Sequence, residues 1–169
     1  MADQPRYDPL EPSAFFDDGQ SARNPVPGTV ARGQLRQDEH FYAGILGGAP
    51  AATFPYPIDR KALERGRERY DIFCSPCHDR TGSGNGMVVQ RGFTRPPSFH
   101  TEAMRKRPPG HVYQVITKGL GAMPDYSSQI PPSDRWAIGA YIRALQLSQY
   151  ATIRQVPPER RGELKGETR

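Results

Sequence analysis

YDIFCSPCHDRTGSGNG, residues 70–86, holds both cysteines of the chain, Cys74 and Cys77, with His78 directly after the second. Upstream, Leu63, Gly66, Tyr70, Cys74 and Cys77 recur at spacings of three and four, which places them on one face of a helix. Asp59 is positioned to cap that helix, and Ile58 to staple onto Leu63. The cysteine pair therefore closes an amphipathic helix, and the glycine-rich loop TGSGNG, residues 81–86, follows at once.

Four chemistries use two cysteines at this spacing. A structural zinc site wants four ligands, but the chain has no second C-x-x-C, and His40, His100 and His111 lack matching spacing. A dithiol redox site wants a thioredoxin-like βαβ setting, which a helix running into a glycine loop does not supply. A disulfide across two residues is strained and closes almost no loop. Covalent haem attachment is the fourth, and C-x-x-C-H is its signature. Two thiols add to the two vinyl groups on one edge of the porphyrin, and the adjacent imidazole reaches the iron.

The sixth ligand separates a carrier from a catalyst or sensor. Met123 lies in GLGAMPDY, residues 119–126, forty-five positions after His78. An irregular loop stiffened by Pro124 suits the presentation of a thioether at a fixed angle. Met1 is terminal, Met87 follows the glycine loop too closely, and Met104 sits in a charged stretch; His100 and His111 are the alternative ligands. The second nitrogen of His78 needs a fixed acceptor, for which RPPSF, residues 95–99, offers the carbonyl of Pro97 or Pro96. Arg91, Arg95, Tyr126 and Trp136 are the candidate partners of the haem propionates.

The rest of the chain sets the frame. With 36% hydrophobic residues, eighteen prolines and seventeen glycines in 169 residues, it has a thin core that benefits from a cofactor staple. Residues 1–57 read as an extended, partner-binding N-terminal arm, 58–151 as the haem domain and 152–169 as a polar tail. Tyr7, Leu10, Phe15 and Phe16 are out of place in a solvated linker. Charge is uneven: four arginines against seven acids up to residue 57, then fourteen basic residues against eight acids in 58–151. The basic residues are scattered among acids, and nothing resembles a nucleic-acid module. No run reaches membrane-spanning length; FYAGILGGAPAATFPYP, residues 41–57, is interrupted by prolines and glycines. Further helices are expected over His111–Lys118, closed by Gly119, and from Ser133 as N-cap, with Trp136, Ala137, Ala140, Tyr141, Ala144 and Leu145 as the apolar face.

This pattern resembles a class I c-type cytochrome over roughly residues 58–150. The resemblance rests on Gly66-x3-Tyr70-x3-Cys74, CSPCH, the glycine loop, the PP pair, GAMP and a last helix with Trp136 and Tyr141. It implies a mostly α fold, three to four helices around one covalently bound haem c, with the first and last helices crossing closely at Gly66 and Tyr70 packing on Tyr141. With QPRYDPLEPSAFFDDGQSARNPVPGTVARG, residues 4–33, the likeness extends to the monohaem cytochrome c subunit of bacterial alternative complex III. That family implies an electron-transfer subunit, not an enzyme on its own, within a membrane quinol oxidoreductase that includes a multihaem cytochrome and delivers electrons to an oxidase or a soluble acceptor. It also implies a periplasmic or outer-face, membrane-associated setting without a transmembrane helix. MADQPRYDPL, residues 1–10, has neither the apolar signal nor the lipidated cysteine that precursors in that family commonly carry. The competing classes are a cytochrome subunit serving another complex such as a haem-copper oxidase, a haem enzyme or sensor with an open sixth position, and a haem-free structural subunit. Arg105, Lys106, Arg107 and Lys118 are placed to steer an acidic partner.

Overall fold

Helix α2, Arg60–Phe73, is capped by Asp59, whose carboxylate accepts from the Ala62 N–H at 2.7 Å. It crosses α6, Pro132–Tyr150, at a point where no side chain fits. A Cβ on Gly66 would stand 2.0 Å from the Ala137 carbonyl oxygen and 3.0 Å from Tyr141 Cβ. The absent side chain lets the two backbones touch, and Tyr70, one turn on, packs edge-to-face on Tyr141 at 5.3 Å between centroids. This is the crossing of first and last helices expected from the sequence, in a mostly helical chain with the class I cytochrome c fold.

A computed structural model describes residues 4–163. The chain divides into two units, Met1–Gln37 and Asp38–Arg169. In the first, the described residues form turns rather than helices. Pro12 bridges Gln20, Arg23 pairs with Asp18 at 2.7 Å and lies 4.2 Å over the Phe16 ring, and Tyr7, Leu10 and Phe15 are exposed.

The second unit begins twenty residues earlier than composition suggested. Asp38 caps the short helix α1, Glu39–Ala43, which ends on left-handed Gly44. A two-residue turn, Gly47-Gly48, both at positive φ, then joins β1, Ile45–Leu46, to β2, Ala49–Pro50. This segment docks on α5, Pro109–Lys118. Gly110 N–H donates to Ala51 O, and Ala51 N–H to Gly44 O, both at 2.9 Å. Phe41, Phe54 and Tyr56 pack around Ala51, Tyr113 and Trp136, forming a second core cluster. The aromatics of residues 38–57 thus find their partners within the chain itself, which removes this stretch from the arm.

The main core holds Tyr70, Phe99, Ile116, Ile130, Ile138 and Ile142. Helix α6 serves both clusters, so Trp136, Ile138 and Ile142 are all buried and its apolar surface is wider than the single stripe expected. It also starts earlier: Pro131 is the N-cap and Pro132 opens the helix, because proline's missing N–H costs nothing in the first turn. Ser133 lies inside. Between α2 and α5 come a one-turn helix α3, Ser75–His78, and α4, Glu102–Lys106, capped by Thr101. Among the described residues no helix is long and apolar enough to cross a membrane.

Candidate functional site

Cys74 ends α2, and Cys77 and His78 form α3, where Pro76 occupies the first turn. His78 N–H still donates to Cys74 O at 2.8 Å, so the three side chains stem from one continuous helical turn. Both cysteines are free thiols and half-buried. Burial pushes the Cys74 thiol up to about 12, with Cys77 beside it adding to the shift. Burial likewise pushes the His78 imidazole down to about 4, against the opposing pull of Asp79. At neutral pH the ring is uncharged and keeps a lone pair for a metal.

The loop after His78 is organised by one carboxylate. Asp79 takes a positive φ of 57°, and its side chain accepts from Thr81 N–H at 2.5 Å, Gly82 N–H at 2.9 Å, Asn85 N–H at 3.2 Å and the Ser83 hydroxyl. Burial acts to raise this carboxyl, but the bonds from Ser83, Thr81 and Asn85 win and hold it well below the usual carboxylate range. Tyr70 Oη donates to Asp79 O at 2.7 Å, which ties the loop to α2. Burial, then the neighbouring Cys74, raises the Tyr70 phenol far above its ordinary value.

The loop expected to present Met123 is equally constrained. Leu120 and Met123 exchange backbone hydrogen bonds of 3.0 and 3.1 Å. A Cβ on Gly119, at φ 75°, would fall 2.6 Å from Met123 O. Met123, Tyr126, Phe73 and Cys74 all pack on the main core, and His78 stacks on Phe99 of that core at 4.5 Å. The motif and the methionine therefore border one apolar cluster. Burial first, then Cys77 and Cys74, raises the Tyr126 phenol, whose ring meets that of Phe73 edge-to-face at 6.4 Å.

Other expected partners lie elsewhere. Trp136 is fully buried, and its only donor goes to Phe41 O at 2.9 Å, so no indole N–H remains for a propionate. Pro96 O backs onto Gly84, where a Cβ would stand 2.4 Å from it, while Pro97 is exposed. Arg91 and Arg95 are exposed, and Arg95 reaches Ser83 O at 3.3 Å. His100 Nε2 is 2.7 Å from Thr81 O, so this ring braces the glycine loop. Of the four basic residues expected to steer a partner, Lys106 pairs with Glu102 at 2.6 Å and Arg105 lies 3.5 Å over the Tyr150 ring; Arg107 and Lys118 are exposed.

Sequence reasoning did not single out Asp79, although an aspartate opening a Thr-Gly-Ser-Gly loop is an Asx-turn signal. Nor did it single out Phe99, which carries no signal beyond its hydrophobicity.

The residues present fit a covalently held haem. Two free thiols and a neutral imidazole share one turn, and His78 Nδ1 is buried with no hydrogen-bond partner among the described residues, a costly state for a protein to keep without use. Among the described residues no cluster of three His, Cys, Asp or Glu side chains offers a conventional metal site instead.

Residues 61–142, just under half of the chain, match the family described as "Cytochrome C oxidase, cbb3-type, subunit III". A search of the curated proteins finds no match. Among solved structures, the reducing HAO-like protein complex of Kuenenia stuttgartiensis is 24% identical with a TM-score of 0.47, covering 63% of this chain and 54% of that one. The chain thus spans about half the length of that relative. A c-type cytochrome is 18% identical (TM-score 0.42), covering 48% of this chain and 96% of its own. Cytochrome CL of the marine methylotroph Methylophaga aminisulfidivorans MPT is 15% identical (TM-score 0.41), covering 63% and 68%. Residues 61–142 are thus similar to a cytochrome c domain, and the mostly helical chain has the class I cytochrome c fold.

Proposed function

We propose that the chain is a one-electron carrier subunit with a single covalently attached haem c, passing electrons within or out of a membrane quinol oxidoreductase of the alternative complex III type. The observation that carries this reading is the single helical turn holding Cys74, Cys77 and His78, set at the end of the helix that crosses α6 at Gly66. Cys74 and Cys77 would hold the haem through thioether bonds, and His78 and Met123 would bind its iron. Bound haem supplies a reversible one-electron iron couple. With His78 and Met123 both on the iron, the protein would exclude substrate and oxygen, and the soft Met123 thioether would favour the reduced state. The partners are then a multihaem cytochrome of the same complex and a downstream oxidase or soluble acceptor, at the periplasmic or outer face of a bacterial membrane.

Two measurements test this. Intact mass of the isolated protein should exceed the polypeptide mass by one haem, and the ferric form should show the weak near-infrared band of methionine–iron ligation. Absence of the added mass sinks the haem reading; absence of the band alone sinks Met123. The specific complex is tested by copurification, which should recover a multihaem cytochrome. A second reading, service to a haem-copper oxidase, is favoured by the match of residues 61–142 to an oxidase subunit family; recovery of oxidase subunits in place of the multihaem cytochrome would select it.

A further inference from the structure

Arg135 is buried in the first turn of α6, and among the described residues no carboxylate pairs with it. Its neighbour Asp134 is taken by Arg65, through two bonds of 2.9 and 2.8 Å, and by Arg69 at 3.4 Å. A buried cation without an anion persists only where several dipoles converge on it. Here Nε donates to Ile130 O at 2.7 Å and Nη2 to Ser127 O at 2.8 Å. Nη1 donates to Thr117 Oγ1 at 3.1 Å and to Tyr113 Oη at 3.5 Å, and the guanidinium carbon lies 5.6 Å from the Tyr113 ring centroid.

These acceptors fall on both limbs of one loop. Thr117 stands just before Gly119, where α5 ends, and Ser127 and Ile130 lie on the returning limb, after Met123. The backbone adds one bond at the same neck, Tyr126 N–H to Ile116 O at 2.9 Å. The rigid guanidinium fork matches this arrangement, which a single ammonium cannot reproduce. We propose that Arg135 is the positioning residue of the Met123 loop: it draws the two limbs together and so fixes where the thioether is held. This rests on the reading of Met123 as the sixth iron ligand.

The test uses holoprotein carrying Arg135→Lys, which keeps the charge but loses the fork, and Arg135→Gln. In both, the ferric near-infrared band should fall below half of its wild-type strength. Added imidazole should bind the ferric protein at least tenfold more tightly. Deuterium uptake at amides 120–130 should accelerate at least tenfold more than uptake in α2. Wild-type band strength and imidazole affinity in both variants would overturn the proposal, as would an equal rise in uptake across α2 and the loop. If neither variant yields holoprotein, Thr117→Val removes one acceptor and should tighten imidazole binding about threefold; an unchanged affinity overturns the proposal. A wild-type protein without the near-infrared band would sink the Met123 reading itself, and loop uptake would still decide whether Arg135 is the clamp.

Discussion

Tyr70 donates its phenolic hydrogen to the carbonyl of Asp79 across 2.7 Å, joining the helix before the cysteine motif to the residue after it. Tyr70 is fully buried, so Tyr70→Phe strips a partner from an interior carbonyl and should cost about 1–2 kcal/mol. Thermal unfolding of holoprotein should show a midpoint lowered by several degrees. An unchanged midpoint would mean that water takes the vacated place.

Gly66→Ala should be far more damaging. The new methyl would have to share space with the Ala137 carbonyl, 2.0 Å away, and backbone cannot swing aside as a side chain does. Separating α2 from α6 should cost about 3 kcal/mol or more, read as a lower urea midpoint or as failure to recover holoprotein. A variant of wild-type stability would contradict the tight crossing.

Asp79→Ala removes the acceptor that serves Thr81, Gly82, Ser83 and Asn85. Hydrogen exchange at the amides of Thr81, Gly82 and Asn85 should rise well above that of α6, with a stability loss of about 2 kcal/mol. Exchange that stays slow would assign the loop's order to its glycines and to His100 instead.

Met123→Ala should abolish the methionine–iron band, lower the reduction potential and admit imidazole or cyanide to the iron, with the helical content retained. A variant that keeps its potential and excludes both ligands would return Met123 to core packing alone.

Deleting residues 1–37 should leave the haem spectrum and melting midpoint intact while abolishing copurification with the multihaem cytochrome proposed as a partner. A cut after residue 50 should behave differently, because it removes the carbonyls of Phe41, Tyr42 and Gly44 that α5, α6 and Ala51 use. It should lower the melting midpoint even in the isolated subunit. Equal stability of the two truncations would deny residues 38–50 a structural role.

The sequence made much of this legible where the signal was local. The spacing of Leu63, Gly66, Tyr70 and Cys74 specified helix α2 and its buried face, and Asp59 marked its start. Gly119 marked the end of α5. Long-range commitments were not legible. Nothing near Trp136 reveals that its N–H is spent on Phe41, ninety-five residues earlier. Arg135 looks like any helical surface arginine until Ser127 and Ile130 are seen to curl back over it. The uncharged stretch 41–57, broken by prolines and glycines, reads as an arm because its partners, Tyr113 and Trp136, lie more than fifty residues further on.

How that stretch is fastened has a consequence for descent. Trp136 takes the Phe41 carbonyl, Tyr113 the Tyr42 carbonyl, Gln114 the Ala43 carbonyl, and Gly110 the Ala51 carbonyl. Peptide oxygens are common to every residue type, so mutations can replace many side chains along the segment while these four anchor points survive. The constraint falls instead on the receiving surface, at Gly110, Tyr113 and Trp136. Divergent homologues should therefore preserve the dock while the docked strip drifts beyond recognition by sequence comparison.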